Sequence, residues 1–503
     1  MRLEKILMYF IKALIILFMG TFLIVNCAIP KDGNKLISLI PIIIFGTAIL
    51  LLEFLKRKKK IEFKKVKEIS KKKFLLAAFI IFLLTILYQI FLIRYYYFIT
   101  GWDVYNVFYF GKNYVSTPDL FALSDDGMYT YLSVYPNNLF LCRLFCLIGV
   151  ITKAQNLYKV LMFINIFIVD LTAIVLLRIM NNYKVGRNSK LLGLLFYMVL
   201  IGISPWILVP YTDTLVIIIP ALILYNYSKE KKRGINYVII GLALVLGYLL
   251  KPTTVIIGIA IAILELIKLI DKLINKEFNK EIFKKYLYVI IMIIIGVGIG
   301  IISNARLEKQ IPYDVDENHS MTIYHYLMMG LNKETDGGFN HGDFWGSIDH
   351  YGVEEKKEYN ISTWKQRVKE VDFNFLSRKL AYNYNDGTFA WEGEGEFYFG
   401  GFEIRDQKTY EKLASFYQKE GDKYYIFSNI YQVIWIMLLL TCFISIIRNK
   451  INEKSTLLYL TIIGHTLFLM IFEARARYLI IYLPVFITIA SCAFNYLRKE
   501  ENK

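Results

Sequence analysis

The chain has 503 residues, of which 56% are hydrophobic and 20% are charged. This is too apolar for an ordinary water-soluble domain, and the apolar residues fall in runs of about 17–25, the length that crosses a bilayer. The 59 Lys and Arg outnumber the 42 Asp and Glu, which gives a net charge of +17. Many of these cations lie between apolar runs, which indicates membrane topology and argues against a nucleic-acid partner.

The apolar runs predict an all-α polytopic membrane protein with about twelve transmembrane helices. The predicted spans are 6–29, 36–55, 74–98, 157–178, 191–209, 212–228, 236–250, 254–270, 286–303, 429–447, 456–472 and 478–496. The first run lacks a clear cleavage site and is predicted as a retained helix. A further run, 137–152, is predicted as a re-entrant or juxtamembrane helix, because a span there would place the basic segment 179–190 outside.

The segment Lys56–Lys73 fixes the predicted orientation, since it holds eleven Lys and Arg in eighteen residues. Basic loops stay in the cytoplasm, so both termini are predicted to be cytoplasmic. The chain is predicted to divide into five parts. Two accessory helices, 1–55, are followed by the basic cytoplasmic loop 56–73 and by the main transmembrane module 74–303, which includes the first exterior loop, 99–136. An extracytoplasmic region, 304–428, comes next, and 429–503 forms the C-terminal helices and a short cytoplasmic tail. We expect 304–428, called the outer region below, to be mixed α/β or helical, with a helix near Trp364–Leu380.

Two carboxylates are predicted at the outer face. Asp103, in Thr100-Gly-Trp-Asp-Val-Tyr-Asn106, follows the span 74–98 and is placed at the membrane interface, where an enzyme can act on an amphiphile. The alternative is that Asp103 caps a helix that begins at Val104. Asp213, in Val-Pro-Tyr-Thr-Asp-Thr-Leu, opens the span 212–228 and can likewise cap that helix or complement its dipole.

Three cations lie in predicted exterior turns, where the positive-inside rule expects few. Lys251 either snorkels to lipid headgroups or binds an anionic ligand. Arg475 and Arg477, in Glu-Ala-Arg-Ala-Arg-Tyr, have the forked geometry that suits phosphate oxygens, and Glu473 can pair with one of them. Arg306 is a weaker candidate.

Neither a metal site nor a disulfide framework is indicated. The five cysteines all lie in or beside apolar runs and form no CxxC pair, and the four exterior histidines match no metal motif. No cofactor is predicted with certainty, and a divalent metal stays open without being indicated.

Taken in order, these motifs resemble the GT-C superfamily of polytopic glycosyltransferases, which includes protein mannosyltransferases and aminoarabinose transferases. The resemblance is to bacterial cell-envelope members and covers about Lys71 to Leu497. It rests on the exterior Asp103, Tyr135-Pro-Asn-Asn-Leu, Pro-Tyr-Thr-Asp213, Lys251-Pro and the late Glu-x-Arg-x-Arg-Tyr478. Family first loops often carry paired acidic residues, whereas Val104 and Tyr105 follow Asp103 here.

The resemblance implies transfer of a sugar from a polyprenyl-phosphate donor to a glycan, lipid or protein acceptor outside the bacterial plasma membrane, normally with inversion. The implied catalytic residues are Asp103, as the base, and Asp213, which would orient the sugar or acceptor. The implied donor phosphate-binding residues are Lys251, Arg475, Arg477 and Arg306. The implied substrate-binding residues are Trp102, Tyr105, Tyr135, Tyr211, Glu473 and Tyr478.

Two other functions stay open. A polysaccharide polymerase or ligase is also polytopic with exterior arginines, but it does not require the Asp103 loop. A lipid-linked glycan transporter or flippase needs polar residues near the bilayer midplane or inverted repeats, and here only Asp170 stands out.

Overall fold

All regular secondary structure in the described part of the computed structural model is helical. The structure describes residues 3–29, 35–57, 68–108, 131–276, 281–310, 317–393 and 404–493, and these ranges contain no β-strand. The α-helices are α1 (Leu3–Ala28), α2 (Lys35–Arg57), α3 (Lys71–Tyr95), α4 (Leu139–Thr152), α5 (Leu157–Asn182), α6 (Arg187–Tyr197), α7 (Thr212–Leu215), α8 (Ile218–Tyr227), α9 (Gly234–Leu250), α10 (Ile256–Ile274), α11 (Glu281–Gln310), α12 (Ile323–Met329), α13 (His341–Ile348), α14 (Val353–Glu370), α15 (Phe373–Tyr384), α16 (Gln407–Tyr417), α17 (Tyr424–Arg448), α18 (Glu453–Ile471) and α19 (Leu483–Ser491). Two further helical stretches cover 102–108 and 131–134.

The helices of membrane length make the chain a multi-pass membrane protein. Among the described residues, six are long and apolar enough to cross a bilayer: α1, α3, α5, Pro252–Ile274, α17 and α18. Four more apolar helices have only 10–17 residues, and two apolar stretches, Leu36–Ala48 and Leu287–Ile302, lie within the longer helices α2 and α11. The helix α4 has 14 residues and is about 21 Å long, whereas the hydrocarbon core is about 30 Å thick. Among the described residues, six of the twelve predicted spans therefore correspond to helices that are both long and apolar enough to cross a bilayer.

The predicted span 191–209 is interrupted. The helix α6 passes into a π-helical turn, Met198–Gly202, and the helix ends before Pro205, whose ring fixes φ and which has no N–H to continue the hydrogen-bond ladder. The Nδ2 of Asn165, on α5, donates to two carbonyl oxygens of the following turn, at 2.9 and 3.2 Å. These bonds satisfy backbone groups that the break would leave unpaired within the membrane. The chain consequently bends just before Asp213.

The first helix is built into the bundle. It packs against α17, α18 and α15, and Ile15 and Met19 are fully buried. The Nδ2 of Asn26 donates to the carbonyl oxygen of Tyr384 at 3.1 Å, and the Nε2 of Gln432 donates to Asn26 Oδ1 at 3.0 Å. The N-terminal and C-terminal parts of the chain are thus joined by buried polar contacts as well as by apolar packing.

The described part of the outer region is helical, which favours the helical alternative over the mixed α/β one. The single helix expected near Trp364–Leu380 is in fact two helices, α14 and α15. The break falls at Asp372, whose Oδ1 accepts the backbone N–H of Phe375 at 2.7 Å and so caps α15. An aspartate N-cap starts a new helix because it satisfies one of the free N–H groups of the first turn.

The predicted orientation can be checked with single cysteines at positions 62 and 355, after the five native cysteines are replaced. We expect an impermeant thiol reagent to label position 355 in intact cells, because it lies in the outer region, and to label position 62 only after the cells are opened. Position 62 lies outside the described residues, whereas Glu355 is exposed on α14. Labelling of position 62 in intact cells, or protection of position 355 there, would contradict the orientation.

Candidate active site

The helical stretch 102–108 carries Asp103 to the end of the bundle at which Arg477 also lies. The backbone N–H of Tyr105 bonds to the carbonyl of Gly101 at 3.2 Å, so the helix begins at Trp102 and Asp103 lies in its first turn. Capping of a helix that begins at Val104 is therefore not observed. The reversal after α3 uses a left-handed backbone at Trp102, with φ of +45°, a conformation that non-glycine residues seldom adopt.

The carboxylate of Asp103 lies among tyrosine hydroxyl groups. Tyr211 donates its hydroxyl to Oδ2 at 3.4 Å, and Tyr131 is a second hydroxyl donor. The Nδ2 of Asn138 donates to the hydroxyl oxygen of Tyr131 at 2.6 Å, which leaves the hydroxyl proton free to point at the carboxylate. Burial raises the pKa of Asp103, and the charge of Arg477 opposes that rise. A carboxylate with a raised pKa is better matched to accept a proton near neutral pH.

Asp213 is the counter-ion of two cations. Its Oδ1 forms an ion pair with the ammonium of Lys251, and its Oδ2 lies 3.6 Å from the Nε of Arg477. The three residues are only 1%, 9% and 8% exposed, so their charges attract one another in a medium of low dielectric constant. The group, called the charge triad below, carries a net charge of +1. Asp213 lies in the first turn of α7, and its described ionic contacts are with cations.

Aromatic rings join the charge triad to Asp103. The guanidinium carbon of Arg477 lies 4.4 Å from the ring centre of Trp102 and 5.6 Å from that of Tyr478. The ammonium of Lys251 lies 4.7 Å from the ring centre of Tyr478. Such cation–π contacts are stronger when they are desolvated. Trp102 and Asp103 are adjacent in sequence, so Arg477 and Asp103 belong to one site.

Glu473 lies at the start of the same late motif. Its Oε1 accepts the hydroxyl of Tyr478 at 3.3 Å. Burial raises the pKa of Glu473, while Arg477 and Arg475 act in the opposite direction. Among the described residues, no ion pair within 4.0 Å joins Glu473 to either arginine, so the expected pairing is replaced by a tyrosine hydrogen bond. Arg475 is half-buried and acts on Glu473 at longer range.

Three predicted site residues remain, and each lies in a different part of the fold. Tyr135 lies near Asp103, because the charge of Asp103 contributes to the raised pKa of Tyr135, and its ring stacks on Phe344 of the outer region with centres 6.5 Å apart. Tyr105 lies on the helical stretch that carries Asp103, and it is half-buried. Arg306 lies in α11, and its side chain is outside the part of the chain that the structure describes.

Sequence reasoning does not single out Tyr131, and it includes Asn138 only as part of the motif Tyr135-Pro-Asn-Asn-Leu, although both residues shape the surroundings of Asp103. Tyr131 and Tyr135 are four residues apart, and their ring centres lie 5.2 Å from each other. This spacing places two rings on one side of a helical turn, and it is the signal that could have found Tyr131. In the described part of the chain, no group of three or more His, Cys, Asp or Glu is arranged to hold a metal ion.

A family model described as "conserved hypothetical integral membrane protein" matches residues 3–497. The chain belongs to this family of integral membrane proteins. No curated protein and no solved structure matches the chain. Because the family match runs through almost the whole length, it includes α1, the outer region and every segment that contributes to the site. An integral, multi-pass membrane protein is thus the identity that sequence and structure support together.

Proposed function

We propose that this chain is a GT-C type glycosyltransferase with about twelve spans in the bacterial plasma membrane. It would transfer a sugar from a polyprenyl-phosphate donor to an extracytoplasmic glycan, lipid or protein acceptor. The observation that carries the proposal is the meeting of a half-buried carboxylate, Asp103, with the charge triad through Trp102. Glycosyl transfer needs these two elements together, one for the proton of the acceptor and one for the charge of the departing phosphate.

In the proposed reaction, an acceptor hydroxyl oxygen attacks the anomeric carbon of the donor sugar. The bond between that carbon and the phosphate oxygen breaks, and its electron pair leaves with the polyprenyl phosphate. Asp103 takes the hydroxyl proton, and attack from the side opposite the phosphate inverts the anomeric centre. Lys251 and Arg477 stabilise the negative charge that develops on the leaving oxygen. Asp213 keeps both cations in position when the phosphate is not bound, which is a narrower role than the sugar-orienting one inferred from the motif.

A transporter without covalent chemistry is the second candidate, because an ionisable group lies at membrane depth. Asp170 is in the middle of α5, and its Oδ1 accepts the Nε2 of Gln89, on α3, at 3.0 Å. The same Nε2 donates to the carbonyl oxygen of Gly202, the last residue of the π-helical turn. Intramembrane carboxylates often mark a transport path. A transporter that is not coupled to protons, however, has no need for a proton acceptor at the outer face.

The decisive experiment measures lipid-linked sugars in a strain that lacks this protein. A glycosyltransferase leaves its donor unused, so we expect one polyprenyl-phosphate-linked sugar to accumulate in lipid extracts, as detected by mass spectrometry. Purified protein should then convert that lipid to polyprenyl phosphate when an envelope extract supplies the acceptor. A polymerase or ligase would instead use polyprenyl-linked oligosaccharides as the donor.

An unchanged pool of lipid-linked sugars in the deletion strain would contradict the proposal. Accumulation in cells without any conversion by the purified protein would favour the transporter. The matched control is a strain that expresses Asp349→Asn, which changes an exposed carboxylate of the outer region and should restore the normal lipid profile.

A further inference from the structure

Lys379 carries a buried amine whose described partners are carbonyl oxygens. It lies on α15, one turn after Phe375 and one turn before Asn383, and all three residues are fully buried. Its Nζ donates to the carbonyl oxygen of Phe472 at 2.9 Å and to that of Gly330. A lysine seldom lies fully buried without a carboxylate partner. Its two acceptors belong to the outer region and to the end of α18, so Lys379 joins these two parts of the chain.

The backbone around Phe472 is held at further points. The N–H of Glu473 donates to the carbonyl of Tyr326 at 3.0 Å, and the N–H of Ala474 donates to the carbonyl of Gly337 at 2.8 Å. A Cβ on Gly330 would lie 2.5 Å from the carbonyl carbon of Phe472, so only glycine allows this approach. Residues 472–474 are therefore tied at several consecutive positions to the segment 326–337, which comprises the end of α12 and the turn that follows it.

The next part of the chain carries Arg477. A 3-10 helix begins at Ala476, only two residues after the last of these ties. A link this short leaves little freedom between the tied residues and the charge triad. Movement of Phe472 would consequently move Arg477 away from Asp213 and Trp102.

We propose that Lys379 is a positioning residue for Arg477: by holding the Phe472 carbonyl against the Gly330 turn, it fixes where the phosphate-binding end of the late motif lies. The ligand in this statement, the phosphate of a polyprenyl lipid, rests on the proposed function. The mechanical part of the statement, that Lys379 holds residues 472–474, does not depend on it.

The charge of Lys379 supplies a readout that ordinary packing would not give. Burial lowers the pKa of Lys379 to about 7, and the nearby charge of Glu473 opposes that change. Opening the tied segment exposes the amine and restores its ordinary pKa of about 10.5. The open form therefore binds more protons between pH 7 and 10.5, so the closed form gains stability as pH rises through this window. From these two values, the opening constant should fall about 30-fold between pH 6 and pH 8.5.

Other charged groups around Lys379 have partners of their own. On the same helix, Arg378 pairs with Asp336 at 2.8 Å. In the neighbouring turn, Lys333 pairs with Asp372 at 2.9 Å. Further ionisable groups on the segments packed here include Glu334 of the turn, Arg475, Arg477 and Tyr478 of the late motif, Tyr324, His325 and Tyr326 of α12, Tyr382 and Tyr384 of α15, and Glu453, Lys454, Tyr459 and His465 of α18. A variant that lacks only the lysine charge separates their contribution from that of Lys379.

The test is hydrogen–deuterium exchange of residues 472–478 in purified protein, with Lys379→Met and Lys379→Gln. Methionine has similar length but no donor, whereas glutamine retains two N–H donors without a titrating charge. We expect Lys379→Met to speed exchange of the Glu473 and Ala474 amides about 10-fold or more and Lys379→Gln to restore much of the protection. The pH-dependent gain in protection, corrected for intrinsic exchange rates, should be present in the parental protein and absent from both Lys379 variants. Lys369→Met, at an exposed site on α14, is the matched control and should exchange like the parent.

Binding of undecaprenyl phosphate to the same proteins separates the two proposals. We expect the dissociation constant to rise about 10-fold in Lys379→Met and to stay near the parental value in Lys369→Met. If the parent does not bind undecaprenyl phosphate, the proposed donor is wrong while the exchange result still decides the positioning role. Parental exchange at residues 472–474 in Lys379→Met would overturn the inference. If Lys379→Met does not fold, a lack of pH-dependent difference between the parent and Lys379→Gln would overturn it.

Discussion

Asp103→Asn should lower turnover by about 10²–10⁴-fold, the usual loss when a general base is removed. Asparagine nearly preserves the shape of the side chain and can still accept the hydroxyl of Tyr211, but it cannot take a proton at neutral pH. Expression, thermal stability and donor binding should therefore stay close to the parental values. Turnover is measured with purified protein and the lipid-linked sugar that accumulates in the deletion strain.

The pH profile of the proposed activity gives an independent check. Burial raises the pKa of Asp103, so the acidic fall in kcat/KM should occur at a higher pH than for an exposed aspartate, since the base works only when deprotonated. The residual activity of Asp103→Asn should lack that fall. Asp349→Asn should reproduce the parental profile. Near-parental turnover of Asp103→Asn would remove this residue from the catalytic role.

Asp213→Asn should cost about 3–5 kcal/mol of unfolding free energy, because it leaves Lys251 and Arg477 buried without their counter-ion. Removing a charge together with its partner is far less costly than removing one alone. The double variant Asp213→Asn/Lys251→Met returns the net charge of the triad to +1, so we expect most of the lost stability to return. The measurement is thermal unfolding of purified protein in one detergent or lipid mixture.

The turnover of the double variant should stay low even though its stability returns. In the proposed reaction, Lys251 and Arg477 would each supply a charge-assisted contact to phosphate, worth about 1.5–3 kcal/mol, or about 10- to 150-fold in donor binding or turnover. The double variant should thus be stable but have low turnover. The single variants Lys251→Ala and Arg477→Ala should also have low turnover. Arg477→Lys retains the charge without the stacking plane and should be intermediate. Parental activity in Lys251→Ala and Arg477→Ala would make these cations purely structural.

The sequence predicts the membrane character and the helical class well because both depend on composition and periodicity. It also predicts that Asp103, Lys251 and Arg477 share one face, since the ends of successive spans must return to the same side of the membrane. The roles of these three residues stay predictions. The sequence does not predict that Asp213 contacts both cations, because this contact depends on helix tilt and side-chain packing, which spacing along the chain does not specify.

Two features escaped prediction for physical reasons. The break before Pro205 lies inside an apolar run, and average hydropathy does not register that Asn165 can satisfy the backbone of a broken helix. Lys379 lies in a helix with a polar composition, where a lysine is usually solvated. Its position on the same side as Phe375 is the available signal, but the partners that allow its burial are backbone carbonyls distant in sequence.

The buried contact between Asn26 and Gln432 has a consequence for biosynthesis. The two residues are 406 positions apart, so the ribosome makes Asn26 long before its partner. At about 5–20 residues per second, the first helix waits about 20–80 s for the contact that completes its packing. During that interval Asn26 has to remain in the bilayer or against provisional neighbours. Assembly of the bundle is therefore completed at the end of translation, and a chain that stops before residue 432 loses the final packing of its first helix as well as its last ones.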